Sequence, residues 1–477
     1  MKVKYRRQES QNSSQSKVRQ PNNQPRQDRR DERIDSKTIN DKMAVAAKNK
    51  RLSECESLLQ YMKTKNVKPT KHTFCNLINA AVRCGQLPKA LQFHDLMLNS
   101  VGHCIEASTA YLKGLFSAWE CDKARSLFRT IMEKNEVIGE RTLDTYLRGC
   151  LYSGDIESSL EAFRSSKTSK STSSFEMVHK TMAIHGVIPD ETVGYNASSS
   201  SVSHIAAAKA FIANNDFLKA DECLRNVSRH ELQEIKTDLK FQAHKKNELK
   251  RELDFISRFI RLGIHDRNFK SLLPQHLNFS DRDFVVASHS ERTGLQLPVA
   301  FRKRPQTNLE VCSGTGEWIV EQASKCRDIT WIASEIRVDR CFDIILKAFC
   351  EGLDNLIVCA GDVRHLFSLI PEQALNNIYV NFPEPPAWHE EFSDSQNDLI
   401  SSDFIRETVL ALRSGGNLQI VSDNSSYMGK VYEKISSEPG FVSEFKTLKA
   451  TGSSYFDRMF SKGGKTNRYQ ITAKVNS

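Results

Sequence analysis

The sequence holds no CxxC pair among its twelve cysteines, so a zinc site is not expected. The cysteines sit mostly inside apolar runs, which predicts reduced, buried thiols in an intracellular chain and excludes a disulfide-rich secreted one. No run of 18 apolar residues occurs, so no transmembrane helix is expected. The N-terminus lacks an apolar h-region and is not a secretory signal. Residues 371–405 hold seven acids and no Lys or Arg. What remains is 477 residues, enough for about three domains. The net charge of +10 favours an anionic partner.

That charge is unevenly placed. Residues 1–40 carry 11 Lys and Arg against 5 Asp and Glu, and only six apolar residues. Such a segment buries too little surface to offset its ordering entropy, so a disordered basic tail is expected over 1–40. Residues 1–27 carry seven basic residues and one acid, which suits an organellar transit peptide, while the cluster Lys2, Lys4, Arg6 and Arg7 equally suits a nuclear signal or an RNA-binding arm. An organelle and the nucleus or cytoplasm therefore both stay open as its location.

Residues 41–230 repeat. The segments RLSECESLLQYM, QLPKALQFHDLM, ECDKARSLFRTIM and GDIESSLEAFRSS align, with small residues at Cys55, Ala90, Ala124 and Ser159, spaced 35, 34 and 35. The helix before each recurs with Leu77, Leu112 and Leu147. Two helices per repeat with short turns predict an α-solenoid. The junction VKPTKHTFCNLI (67–78) resembles that of a pentatricopeptide repeat (PPR), with a Pro before a Thr-aromatic pair; GVIPDETVGYN (186–196) resembles it with one residue extra. The stretch to about 230 is expected to be a degraded fifth repeat. The Trp/Leu-Gly/Tyr spacing of the protein-binding tetratricopeptide scaffold is absent. The resemblance implies RNA binding, one base per repeat. The base-facing positions would be Cys75, Ala110 and Asn196, with Thr70 as a partner position. Cys75 and Ala110 lack the usual amide or hydroxyl, so loose binding by shape and charge is expected. Residues 231–280 read as a basic helical connector.

From 281 to 477, strands alternate with helices. TNLEVC (307–312), ITWIASE (329–335), NLIVC (355–359), NNIYVNF (376–382) and NLQIVSD (417–423) form the series, with two later strands at 442–451 and 468–475. This predicts a doubly wound Rossmann-like α/β domain behind the α-solenoid. In such sheets ligands bind at the carboxyl ends of the strands. There lie the turn Glu310-Val-Cys-Ser-Gly314-Thr-Gly316, Glu335 ending the second strand, and Asp362 after the third. The turn lacks the full dinucleotide GxGxxG. A Gly-rich turn, a ribose-binding acid and a third-strand Asp suit S-adenosyl-L-methionine better than NAD.

The fourth strand ends in Asn381-Phe-Pro-Glu384-Pro. LEVCSGTGEW, SEIR, GD, NFPEP, SGG and SD follow one another in order, and SYFDR (454–458) comes later. This resembles the TrmB-type tRNA (guanine-N7)-methyltransferase family, whose pattern is LEIGxGxGE, EIR, GDA, NFPDPW, GG, TD and TKFExR. The resemblance implies methyl transfer from S-adenosyl-L-methionine to N7 of the guanine at position 46 of tRNA. It implies that Glu310, Gly314, Gly316, Glu335, Ile336, Asp362 and Asn381 bind the cofactor, and that Glu384, Asp423 and Asp457 act at the guanine. There are departures. Glu384-Pro-Pro stands for Asp-Pro-Trp, and the family's basic strip is replaced by the acidic AWHEEFSDSQNDLISSD (387–403). Such a surface repels phosphate, so the repeats are expected to supply the RNA affinity. The alternatives are a non-catalytic RNA-binding protein with a vestigial methyltransferase domain, and a methyltransferase of another RNA or of protein. A non-catalytic protein subunit is a further expected partner; a membrane is not.

Overall fold

The computed structural model describes residues 35–134, 137–214, 216–227, 249–257, 304–368, 370–385, 398–452, 454–462 and 464–476. The tail over 1–34, most of the 231–280 connector and most of the acidic strip after Pro385 lie outside these residues.

The first half is a stack of helical hairpins: α1 (Ser36–Lys48) with α2 (Leu52–Thr64), α3 (Lys71–Arg83) with α4 (Leu87–Ser100), α5 (Ile105–Ser117) with α6 (Cys121–Lys134), and α7 (Glu140–Ser153) with α8 (Ile156–Ser165). The repeat spacing is a burial spacing. Leu77, Leu112, Leu147, Cys55, Ala90, Ala124 and Ser159 are all fully buried, as residues on the faces stacked between hairpins must be. Capping starts the helices where the sequence changes texture. Thr70 and Thr73 form a reciprocal capping box at α3, and Ser171 and Ser174 another at α9 (Thr172–Ile184).

Two expectations are corrected here. Residues 36–40 are not tail. Asp35 accepts from the Thr38 amide at 2.8 Å and starts α1, whose Ile39 and Met43 are buried. The repeat after α8 is also unusual. Its first helix is α9, but its second is reduced to the 3-10 turn Glu191–Val193. Pro189 and Gly194 bound that turn and cut the helix short. The next pair, α10 (Ser201–Ala213) and α11 (Phe217–Arg225), follows directly, and α10 packs against α9. His179 of α9 ties the turn to α10. Its Nδ1 meets Ser203 Oγ at 2.8 Å and its Nε2 meets the Val193 carbonyl at 3.0 Å. A further helix, α12, covers 249–257.

The second half is a seven-stranded sheet of order β3-β2-β1-β4-β5-β7-β6. The strands are β1 (Gln306–Val311), β2 (Ile329–Glu335), β3 (Leu356–Ala360), β4 (Leu375–Asn381), β5 (Leu412–Ser422), β6 (Phe441–Lys449) and β7 (Asn467–Val475). The first five are parallel, and β7 pairs antiparallel with both β5 and β6. Helices α13 (Glu317–Lys325), α14 (Val338–Cys350), α15 (Val363–Phe367), α16 (Ser402–Ala411), α17 (Ser425–Ser436) and α18 (Tyr455–Lys462) complete it. One face of the sheet buries Phe367, Phe404, Tyr427 and Ile435. On the other, α13 and α14 join a single apolar cluster that runs into the repeats. β3 is apolar throughout and β2 mostly so, and β1, though it carries Thr307, Asn308 and Glu310, is buried from its second residue on, as strands covered on both faces should be. No helix of the described residues is long and apolar enough to cross a membrane, and none of the twelve cysteines is in a disulfide.

Candidate active site

The topology reverses between β1 and β4, and the candidate residues collect at that switch point. Glu310, second from the end of β1, is 2% exposed. Its Oε1 accepts from Asn381 Nδ2 at 2.8 Å, and its Oε2 has no hydrogen-bond partner. Burial pushes its carboxyl up to about 7. An unsatisfied buried carboxylate oxygen is costly, and this one belongs to a residue that lines the cleft at the Gly-rich turn.

That turn is built for close approach. Gly314 and Gly316 have φ of +57° and +77°, which a side chain resists. A Cβ on Gly316 would stand 2.6 Å from Ile344, and one on Gly314 would stand 3.3 Å from the Phe456 ring. The Gly314 amide donates to Glu335 Oε2 at 2.8 Å, and the Arg337 amide donates to Glu335 Oε1 at 3.1 Å. Burial raises the Glu335 carboxyl, while Arg340, 3.6 Å away, opposes the shift. Ile336 follows, half-buried. Asp362 caps α15, its Oδ1 accepting from the Arg364 amide at 2.9 Å. Burial would raise this carboxyl, but the hydrogen bonds from Arg364 hold it below its ordinary value.

A narrow cleft, with about 20 Å³ of internal space, is lined by Glu310, Gly314, Gly316, Asn381, Phe382 and Phe456, among others. Four of the seven expected cofactor residues thus share one cleft, and Glu335 reaches it through the Gly314 amide. Ile336 and Asp362 flank it from the ends of β2 and β3. The orphan oxygen of Glu310, the left-handed turn Gly314–Gly316, and the acid behind the turn form a donor and acceptor set that fits S-adenosyl-L-methionine.

The three expected guanine-side acids divide. Glu384 is exposed on the loop after β4. Asp423, after β5, pairs with Lys465 Nζ at 2.5 Å, and that lysine is 56% exposed. Asp457 is corrected. It is 2% exposed and does not line the cleft. Its Oδ1 takes Arg468 Nε at 2.5 Å; its Oδ2 takes the Thr451 amide at 3.0 Å and the Gly452 amide at 2.5 Å. Every strong acceptor direction is filled, so Asp457 holds the 451–468 segment together instead of meeting a base. Its neighbour Arg458 forms two hydrogen bonds with Glu317, at 2.8 and 2.9 Å, and so clamps α18 over the turn. Both residues stand inside quoted motifs, but their pairing across 141 positions left no signal in the sequence. Lys347 was also missed. Its Nζ donates to the Thr315 carbonyl at 2.5 Å.

The repeat positions also shift. Asn196 precedes α10 by a full turn, and its Oδ1 accepts from the Ser198 amide at 2.9 Å. Thr70 caps α3 and accepts from Asn40 Nδ2 at 3.0 Å, while Ala110 is buried. Cys75 is half-buried. Thr70 and Ala110 are thereby committed to structure, whereas Asn196 stays exposed, with only Oδ1 of its side-chain amide engaged.

Residues 304–471 match the Methyltransf_4 methyltransferase family model, and residues 72–100 match the PPR repeat model. The chain is 36% identical over 120 residues to a tRNA (guanine-N(7)-)-methyltransferase of Chlamydia muridarum, spanning 25% of this chain and 52% of that protein. To the proteins of the same name from Chlamydia pneumoniae and Chlamydia caviae it is 26% and 27% identical, spanning 40% and 43% of this chain and 83% and 88% of theirs. The chain thus spans from about half to nearly nine-tenths of the length of these relatives. The second half of the chain is a Rossmann-like α/β domain similar to methyltransferases over residues 304–471, joined to a helical solenoid similar to PPR repeats over residues 72–100.

Proposed function

We propose that the chain is an S-adenosyl-L-methionine-dependent methyltransferase that modifies guanine N7 in tRNA, with the solenoid contributing RNA affinity. The observation that carries this reading is the cleft itself. Glu335 holds the Gly314 amide, and Glu310, with one carboxylate oxygen unsatisfied, lines the cleft beside the same turn. The names of the Chlamydia relatives support tRNA guanine as the substrate class. Position 46 is the finer form of the proposal.

The cofactor supplies an activated methyl group on sulfur. Glu310, Glu335, Asp362 and the Gly314–Gly316 turn would hold it. The remaining demand on the protein is small. Guanine N7 carries an in-plane lone pair and no proton at neutral pH, so no base is needed to make it a nucleophile. Positioning in line can supply on the order of 7–11 kcal/mol of the barrier. Methylation leaves positive charge on the purine, which a carboxylate accepting the N1 and amino hydrogens stabilises. Glu384 is accessible for that role, and Asp423 becomes so when Lys465 swings into solvent. The target base must also leave its stack.

One experiment tests the reading. The full chain is incubated with tRNA and S-adenosyl-L-methionine, and the digested nucleosides are analysed by mass spectrometry. New 7-methylguanosine supports it; its absence despite cofactor binding refutes it. A second reading, RNA binding without turnover, is favoured by the pairing of Asp423 with Lys465 and by Phe456 lying against Gly314. Cofactor binding with no methylated nucleoside is its outcome.

A further inference from the structure

The cofactor turn is not held by the methyltransferase domain alone. Helix α14 follows Glu335 by two residues. Its inner side packs on β2 and β3, and its outer side packs on α7 and α9 of the solenoid. Two separate sets of contacts run from the repeats through this helix to the cleft.

The first lies at the start of α14. The guanidinium of Arg337 sits over the ring of Tyr152, 3.6 Å from its centroid. Tyr152 belongs to α7. The same guanidinium pairs with Asp339, with Nε at 3.0 Å, so it is fixed in plane as well as in height. The amide of this residue is the one that donates to Glu335 Oε1. Beside it, Val338 fills the space left by the missing side chain of Gly154, where a Cβ would stand 2.9 Å away. The carbonyl of Gly154 is held in turn by His185 Nε2 at 2.7 Å.

The second lies two turns further along. Lys209 of α10 bridges Asp343 of α14, at 2.7 Å, and Glu252 of α12, at 2.5 Å. The lysine side chain is 12% exposed, so this bridge is largely desolvated. One turn on from Asp343 stands Lys347, the residue that holds the Thr315 carbonyl between the two glycines of the turn.

We propose that the solenoid is a structural part of the cofactor site, with Tyr152 a positioning residue that sets the Glu335 carboxylate through Arg337. Lys209 is its counterpart on α10, fixing the helix from which Lys347 holds the Gly-rich turn. The proposal rests on the cofactor reading above for its consequence, and on contacts alone for its geometry. An Arg over an aromatic face gains most when the pair is desolvated, and a site loosened by a fraction of an ångström loses much of its preorganisation. Binding on the repeats and binding in the cleft are therefore linked, and linkage is reciprocal. RNA that steadies α7 and α10 would tighten the cofactor, and the cofactor would tighten RNA by the same factor.

The test uses the full chain with Tyr152→Phe, Tyr152→Leu and Lys209→Met. Two quantities are read for each: hydrogen exchange at the amides of 313–317 and 335–337 without cofactor, and the dissociation constant for S-adenosylhomocysteine by calorimetry. Tyr152→Phe keeps the ring face and should match the parent in both. Tyr152→Leu keeps bulk but loses the face; it should speed exchange and weaken binding about tenfold. Lys209→Met should speed exchange at 313–317 in particular. Unchanged exchange in Tyr152→Leu overturns the proposal, whatever the cofactor affinity. A parent chain that binds no S-adenosylhomocysteine, yet shows the faster exchange in the variant, overturns the cofactor reading and leaves the positioning geometry standing.

Discussion

Asn381 donates its side-chain amide to Glu310 at 2.8 Å, and this bond joins the ends of β4 and β1 across the switch point of the sheet. It engages one carboxylate oxygen and leaves the other without a partner. The arrangement tolerates a neutral Glu310 better than a charged one.

A pH dependence of stability follows. The folded chain keeps the Glu310 proton up to about 7, whereas the unfolded chain releases it near 4.5. Between these values the folded state binds more protons, so its stability should fall as pH rises from about 4.5 to about 7. The cofactor-free chain should lose on the order of 3 kcal/mol across that window from this group. Glu310→Gln should flatten the slope. Urea denaturation at half-unit pH steps compares the two; equal slopes would sink the assignment.

Glu335 should matter for binding. Glu335→Gln removes the charge that holds the Gly314 amide while keeping the volume. S-adenosylhomocysteine affinity should drop by about 1.5–3 kcal/mol, the contribution of a charged hydrogen bond. Calorimetry on the full chain measures it.

Asp457 and Asp423 should respond differently to the same change. Asp457→Asn leaves Arg468, 3% exposed, with an uncompensated charge, so stability should fall by about 3–5 kcal/mol. Asp423→Asn frees an exposed lysine and should cost less than about 1 kcal/mol. Any loss of turnover in Asp423→Asn would then be chemical, whereas in Asp457→Asn it should follow the unfolded fraction. Thermal melts beside single-turnover rates separate the two.

His179 should be needed where the fifth repeat lacks its second helix. His179→Phe fills the space but leaves the Val193 carbonyl and Ser203 without their partner. The cost should be about 2–3 kcal/mol, read as faster proteolytic cleavage within 186–200. Unchanged cleavage would show that the 3-10 turn holds without it.

Much of the fold was legible because its rules are local. ITWIASE and NLIVC are short apolar runs of the kind that strands buried on both faces require, and they became β2 and β3 within a residue. The repeat spacing was legible because Leu77, Leu112 and Leu147 must all be buried at equivalent places. The shortened fifth repeat left a weaker trace, the extra residue beside Pro189. Asp457 was misread because residue type cannot separate a base-binding acid from one buried against Arg468. Only the fold brings those two together. The contact of Tyr152 with Arg337 was illegible for the same reason, since neither helical period nor motif spacing specifies which helix of one unit meets which helix of another.

The place of β7 in the sheet has a bearing on how the chain is made. It lies between β5 and β6, although β6 is synthesised before it. On the ribosome, β6 has no neighbour to pair with until the polypeptide is extended beyond residue 475. The solenoid hairpins close through contacts near in sequence and can finish early, whereas the antiparallel edge of the sheet waits for its last strand. During that interval the strand edges of β5 and β6 are both open. Translation halted near residue 450 would release a chain with a finished solenoid and an adhesive sheet, the form from which aggregation starts.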